Sequence, residues 1–340
     1  MKEKIFYRSK APLRISLGGG GTDVNPYPEE KGGAILNTTI SKYAYCTIYP
    51  REDNRITVKS LDFKKMYKWK VKDTFEYDGN LDLVKVVLNH FNVNQGCDIY
   101  LHCDAPPGSG LGSSSTVIVS IIGAVTSWLS IPLNLYEIAD LAYVLERKNL
   151  AMIGGKQDQY AATFGGFNFM EFEKDDVTVT PLRIRKDVLN ELHYRMILLH
   201  TGKTRNSGNI IQSQRSNYKK KNVDTMQALD NIKEIAGVMR KTLLKGDIDK
   251  LAKLLDESWQ NKKHFTNNIS NEYIDSLYQT AIDSGAVGGK ISGAGGGGFM
   301  FFICDFDKKH IVSEKLESLG AESVDFIFER NGLQTWRCDK

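Results

Sequence analysis

Long hydrophobic runs, paired cysteines, a strong charge of either sign and low-complexity stretches are all missing from this chain of 340 residues. No segment approaches the ~20 consecutive apolar residues of a membrane span, and Lys2, Lys4, Arg8 and Lys10 are not followed by the apolar stretch of a signal peptide. The expectation is a cytoplasmic protein without a membrane partner. The five cysteines, Cys46, Cys97, Cys103, Cys304 and Cys338, are an odd, scattered set with no Cys-x-x-Cys pair, which argues against a disulfide framework and against zinc. Cys97, His102 and Cys103 read as part of a strand with buried thiols, not as metal ligands. A net charge of +4 is too mild to argue for nucleic acid. A Pro- or Ser-rich linker and internal repeats are absent too, and 41% hydrophobic residues are enough for one large domain or two ordinary ones.

What the chain does have is glycine in clusters. In Pro106-Pro107-Gly108-Ser109-Gly110-Leu111-Gly112-Ser113-Ser114-Ser115, three alternate glycines and a serine run follow the alternating Asp98 to Cys103 strand and precede the almost unbroken apolar stretch Thr116 to Trp128, which reads as a buried helix. A glycine loop opening a helix brings free N–H groups and the positive end of the helix dipole to one place, so Pro107, Gly108, Ser109, Gly110, Leu111, Gly112, Ser113, Ser114 and Ser115 form a candidate phosphate cradle for a nucleotide. The Gly-Lys-Ser/Thr ending of a Walker A loop is not there. On this loop alone a generic turn is an equal reading.

Two more clusters shift the balance: Pro12-Leu13-Arg14-Ile15-Ser16-Leu17-Gly18-Gly19-Gly20-Gly21-Thr22-Asp23 and Lys290-Ile291-Ser292-Gly293-Ala294-Gly295-Gly296-Gly297-Gly298-Phe299. Four consecutive glycines are entropically expensive to order, and two such runs imply backbone that something approaches closely. Gly293 to Gly298 spells G-x-G-x-x-G, yet a helical pattern precedes it and a strand-like one follows, the reverse of a dinucleotide-binding turn.

The three clusters in this order resemble the GHMP small-molecule kinases, over nearly the whole chain. Within them, the run from Pro12 through Thr22-Asp23 to Tyr27, Gly32-Gly33 and Asn37, with Gly155-Lys156-Gln157-Asp158-Gln159-Tyr160 and Gly165-Gly166-Phe167-Asn168, is similar to the bacterial heptose 7-phosphate kinases, fucokinase-like domains being the nearest neighbours. The resemblance implies an α+β fold: an N-terminal domain, expected over residues 1–190, resembling part of a ribosomal protein, and a C-terminal ferredoxin-like domain over residues 191–340. Strands are expected at Lys42 to Tyr49, Arg55 to Lys59, Phe299 to Ile303 and near Ser323 to Phe328, and helices from Asn206 to about Ser284, broken at Gly246-Asp247.

The same resemblance implies ATP and Mg²⁺ as cofactors and a sugar phosphate as the small-molecule partner, on a route to nucleotide-activated heptose for surface polysaccharide, with a monomer or homodimer both open. It assigns Asp158 as the catalytic base, against an N-cap as the alternative, and Arg14 as the cation beside it, against a surface arginine at a strand edge. Asp23 matches the sugar-binding aspartate, against a simple turn role, and with Gly20, Gly21, Thr22, Gly295 and Gly296 completes one set of substrate contacts. Ser114 and Glu146 match the Mg²⁺ ligands, with Ser113 or Ser115 as substitutes and a solvated helix end as the alternative for Glu146. Lys203 and Arg205, two cations opening a helix, are candidates for a distal phosphate, a polar loop being the equal alternative. Lys219-Lys220-Lys221 reads as a solvated helix end. Three functions follow: a heptose 7-phosphate kinase acting on the anomeric hydroxyl, a fucokinase-like or other GHMP kinase, and a non-catalytic sugar or ATP sensor.

Overall fold

Strand β1 (Ile5–Gly18) buries nearly every residue from Ala11 onward, because one face meets a helix of its own half of the chain and the other meets helices from the second half. The computed structural model describes residues 5–62, 65–72, 74–174, 176–202 and 207–339. Its further strands are β2 (Gly33–Pro50), β3 (Arg55–Ser60), β4 (Lys65–Lys70), β5 (Cys97–Cys103), β6 (Phe167–Phe172), β7 (Val177–Pro181), β8 (Met196–His200), β9 (Ala286–Ile291), β10 (Phe299–Cys304), β11 (Glu322–Ser323), β12 (Phe328–Glu329) and β13 (Gln334–Asp339).

Two sheets result. The larger runs β13-β1-β2-β5-β3-β4, with β6, β7 and β12 attached through the long β2, and the smaller runs β11-β8-β10-β9. The first half of β2 pairs with β6 and the second half with β5, while register shifts in β1 at Pro12/Leu13 and Ser16/Gly18 let the pair bend. Strands β1 to β7 precede residue 190 and β8 to β11 follow it, but the chain then crosses back: β12 pairs with β2 and β13 with β1. That return covers the free edge of β1, which would otherwise present unpaired N–H and C=O groups. The sequence expectation extended the second half to the last residue and contained no strand at Gln334–Asp339.

Helix Ser113–Leu129 is apolar almost all round and sits in the core, with Ile118, Ile121, Ile122 and Val125 against Ile48, Ile56, Val58 and Ile99. In the second half the described helices are Ser207–Lys219, Val223–Lys245, Ile248–Lys263 and Glu272–Asp283. Gly246 ends the second of these in the left-handed region (φ 81°), and the carboxylate of Asp247 caps the third by accepting from the Lys250 N–H at 3.0 Å. Met239, Leu243, Leu251 and Leu255 from these helices share one core with Leu13, Ile15 and Leu17 of β1 and with Phe301 and Ile303 of β10. A continuous apolar core therefore joins the two halves, and the cleft above it is held between rigid walls.

Candidate active site

A cavity of about 590 Å³ is lined from both halves: the start of β1's glycine loop, the Pro107 to Ser115 loop, the segment Arg147 to Asp158, helix Ser207–Lys219, Lys262 and Gly293-Ala294. Gly112 stands at the N-cap of helix Ser113–Leu129 in the left-handed region, and Ser113 to Ser115 form its first turn, so unpaired helix N–H groups face the cavity.

Arg14 reaches this point from β1 as a buried side chain. Its Nε donates to Asp158 Oδ1 at 2.7 Å, and its Nη1 donates to the Gly110 carbonyl and to Ser292 Oγ at 3.3 Å. One guanidinium thus ties together all three glycine clusters and the Gly155 to Tyr160 segment. A surface arginine is excluded. Asp158 lies in the first turn of helix Gln157–Phe164, whose N-cap is Lys156, and a Cβ on Gly112 would stand 3.2 Å from its Cγ. The capping alternative is excluded as well, since the carboxylate pairs with Arg14 instead of with its own helix.

Glu146 is fully buried, against the alternative of a solvated helix end. Residues Val144–Asn149 form a π-helical stretch, with Leu150 N–H donating to Leu145 C=O at 3.1 Å, and the widened turn directs Glu146 inward. Its Oε1 accepts from Ser114 Oγ at 2.8 Å and faces Arg147 Nη1 at 3.3 Å; its Oε2 accepts from Ser115 Oγ and Gln159 Nε2, both at 2.7 Å. Hard oxygen donors next to the phosphate loop are what a divalent cation shared with phosphate requires; Ser114 lines the cavity, and Glu146 lies directly behind it without reaching the cavity surface.

Asp23 is buried and accepts from Gln157 N–H at 3.0 Å and Gly21 N–H at 3.3 Å. Burial raises its pKa above the usual carboxylate value, Asp158 adds to the rise, and the two N–H groups oppose it. Gly155 is obligatory here because a Cβ would overlap the Asp23 carboxylate.

Several expected residues do not reach the cavity. Thr22 is buried in the turn, its Oγ1 donating to Gly19 C=O at 2.8 Å and accepting from Ala34 N–H at 3.0 Å. Ser109 and Leu111 are buried beneath the loop, and Gly295 and Gly296 turn toward Ile269, whose carbonyl accepts from Gly296 N–H at 2.7 Å. Gly20 and Gly21 do line the cavity. Lys203 and Arg205 lie outside the described residues. Lys219, Lys220 and Lys221 are exposed at a helix end, as expected.

Other residues of the site had not been singled out. Gln214 Nε2 donates to Gly21 C=O at 3.0 Å, Arg147 donates from Nη2 to Ser115 Oγ at 3.1 Å, and Gln157 turns a buried carbonyl oxygen without a partner among the described residues. Lys262, buried, donates to the Gly293 carbonyl, and its pKa falls to about 8, chiefly through burial and then through Arg14, with Asp23 opposing. Lys290 is buried too and held well below the usual lysine value by burial, Lys262 and Arg14. A signal for Lys262 existed: it falls at i+7 from Leu255 on the stripe Leu251, Leu255, Trp259, where a cation is out of place unless it has work to do.

The model of the GHMP kinases N terminal domain matches residues 81–166, and that of the GHMP kinases C terminal domain matches residues 239–322. The D-glycero-alpha-D-manno-heptose 7-phosphate kinase of Campylobacter jejuni is 41% identical over 336 residues, which span 97% of this chain and 98% of that protein. The crystal structure of a D-glycero-D-manno-heptose 1-phosphate kinase from Bacteroides thetaiotaomicron superposes with a TM-score of 0.83 at 38% identity, covering 97% of this chain and 98% of that one. The L-fucokinase/L-fucose-1-P guanylyltransferase of Bacteroides fragilis is 23% identical over 96% of this chain and 38% of its own length.

Proposed function

Since the chain belongs to the GHMP kinases, and is thereby an ATP-using phosphotransferase with a hydroxyl acceptor, we propose that its substrate is D-glycero-D-manno-heptose 7-phosphate and its product the 1,7-bisphosphate. The observation that carries the reading is the pairing at 2.7 Å of the buried Arg14 with the cavity-lining Asp158, at the mouth of the glycine and serine loop. A carboxylate there accepts the proton of the attacking anomeric hydroxyl, and the guanidinium fixes its orientation while facing the charge that gathers on the moving phosphoryl group. The N–H groups opening helix Ser113–Leu129 hold the nucleotide phosphates. Ser114 and Glu146 would hold Mg²⁺, which when bound neutralises phosphate charge. Asp23, fixed by two N–H groups, orients the sugar by accepting from its hydroxyls, and the missing side chains at Gly20 and Gly21 leave room for the seven-carbon chain.

Support for carbon 1 as the acceptor comes from the 7-phosphate named for the Campylobacter jejuni relative and from the fucose 1-phosphate in the name of the Bacteroides fragilis one. The Bacteroides thetaiotaomicron chain is named for the opposite order, a 1-phosphate substrate. A cytoplasmic setting, where ATP is at hand, belongs to the same proposal. The test is ADP release with MgATP against heptose 7-phosphate, heptose 1-phosphate, fucose, galactose and mevalonate. Turnover is expected to be fastest by at least tenfold with heptose 7-phosphate. Preference for the 1-phosphate or for fucose would overturn the substrate assignment, and ADP release with none of them would remove the sugar-kinase reading.

A further inference from the structure

Two cations, Arg14 and Lys262, meet at the contact between the second and third glycine clusters, and a third, Lys290, is buried near enough for both to act on its charge. Gly110 and Gly293 touch backbone to backbone there, so closely that a Cβ on Gly293 would stand 2.7 Å from the Gly110 Cα. Arg14 donates to the carbonyl of Gly110, and Lys262 donates to the carbonyl of Gly293. Arg14 is neutralised by Asp158, whereas no carboxylate lies within ion-pair distance of Lys262 or Lys290 among the described residues. Lys262 lines the cavity, sits in the last turn of helix Ile248–Lys263, and is almost wholly removed from water. Arg14 and Lys290 repel its charge, and Asp23 alone attracts it. A buried ammonium with two cationic neighbours and one shared carboxylate is costly unless an anion joins it.

We propose that Lys262 is a second catalytic cation, which binds the terminal phosphate of the nucleotide at the Gly110–Gly293 contact that Arg14 also reaches. The inference rests on the kinase reading of the cavity but not on which sugar is the acceptor. The terminal phosphate is favoured over the sugar's own phosphate because Lys262 stands with Arg14 at the reacting centre, and a 7-phosphate hangs at the far end of the sugar from the anomeric hydroxyl. In the transfer step the bond from the terminal phosphorus to the bridging oxygen of ADP breaks as the bond to the acceptor oxygen forms. The acceptor's proton passes to Asp158, and ADP leaves with the bonding pair. Lys262 keeps its protons throughout and balances the oxygens of the phosphoryl group in flight.

With its pKa lowered by burial, Lys262 should gain a proton when a phosphate settles beside it, and above pH 8 the phosphate itself is fully ionised. Titration calorimetry of the full chain with MgATP between pH 8 and 10, in two buffers of different ionisation enthalpy, should therefore show a net proton uptake on binding that passes through a maximum in that range. Lys262→Met should bind MgATP with no uptake and turn over on the order of 10²- to 10³-fold more slowly. Lys262→Arg, which remains charged, should also show no uptake and keep more of the turnover than the methionine variant; it serves as the decisive variant if Lys262→Met does not fold. Uptake that persists in either variant, uptake absent from the wild type, or uptake driven by heptose 7-phosphate alone would overturn the proposal. Uptake lost in the variants while no sugar is phosphorylated by the wild type would leave Lys262 in place and sink only the acceptor assignment.

Discussion

The two walls of the cavity are built on opposite principles. On the wall formed by β1, the serine loop and the segment after the π-helical stretch, charged groups arrive already matched: Arg14 holds Asp158, and Glu146 accepts from Ser114, Ser115 and Gln159. On the other, Lys262 donates to one backbone carbonyl and has no carboxylate within ion-pair distance among the described residues. The matched wall is preorganised, with its dipoles fixed before substrate arrives, which is where electrostatic catalysis draws its strength. The unmatched wall stores a demand for an anion that substrate alone satisfies, and selectivity arises because the wrong ligand leaves that cation unpaired.

Breaking the matched wall should hurt most. Asp158→Asn keeps the shape and loses the proton acceptor, so turnover should drop about 10³-fold with MgATP affinity unchanged, as read by ADP release and calorimetry. Turnover within threefold of wild type would remove Asp158 from the chemistry. Glu146→Gln should come next: a tenfold or larger rise in the Mg²⁺ concentration needed for half-maximal rate, with Ser114→Ala showing a smaller rise in the same titration. Metal curves unchanged in both variants would confine this cluster to a structural role.

Asp23, on the matched wall but away from the moving proton, and Lys262 opposite it should answer in affinity and stability. Asp23→Asn should raise KM for the sugar about ten- to a hundredfold while kcat falls less, since it orients and does not react. The smallest effect has the opposite sign. Because the folded pKa of Lys262 lies near 8, below the ordinary lysine value, the unfolded chain binds more protons between those two limits, and stability rises with pH across that window. At pH 7 both states are charged and the full cost of burial is felt. Lys262→Met should therefore stabilise the protein at pH 7, by about 1–3 kcal/mol and a few degrees in Tm, while slowing turnover. A variant that is both slower and less stable would mean that the lysine is matched after all.

Much of the matched wall was legible in the sequence. Glycine clusters and a serine run announce themselves, because few other residues permit close backbone approach, and Arg14, Asp158, Ser114 and Glu146 stood beside them. What remained hidden depended on three-dimensional company. Nothing local says that Glu146 is buried, since Glu146-Arg147-Lys148 has the composition of a solvated helix end and only the π-helical turn rotates it inward. Thr22 stood in the right cluster yet faces Ala34 across the turn, and Gly295 and Gly296 serve Ile269. Strand β13 was missed because Gln334–Asp339 is half exposed at a sheet edge and lacks a clear apolar alternation. Lys262 was readable only as a breach of its helix's apolar stripe.

On the proposed function, the matched wall passes the terminal phosphate of ATP to the anomeric hydroxyl of a heptose already phosphorylated at carbon 7. Phosphorus NMR of the product formed from MgATP and D-glycero-D-manno-heptose 7-phosphate tests it most directly. Two phosphate resonances of equal intensity are expected, one unchanged and one new and coupled to the anomeric proton. A new resonance coupled to any other ring proton, or ADP formed without a second sugar phosphate, would contradict it.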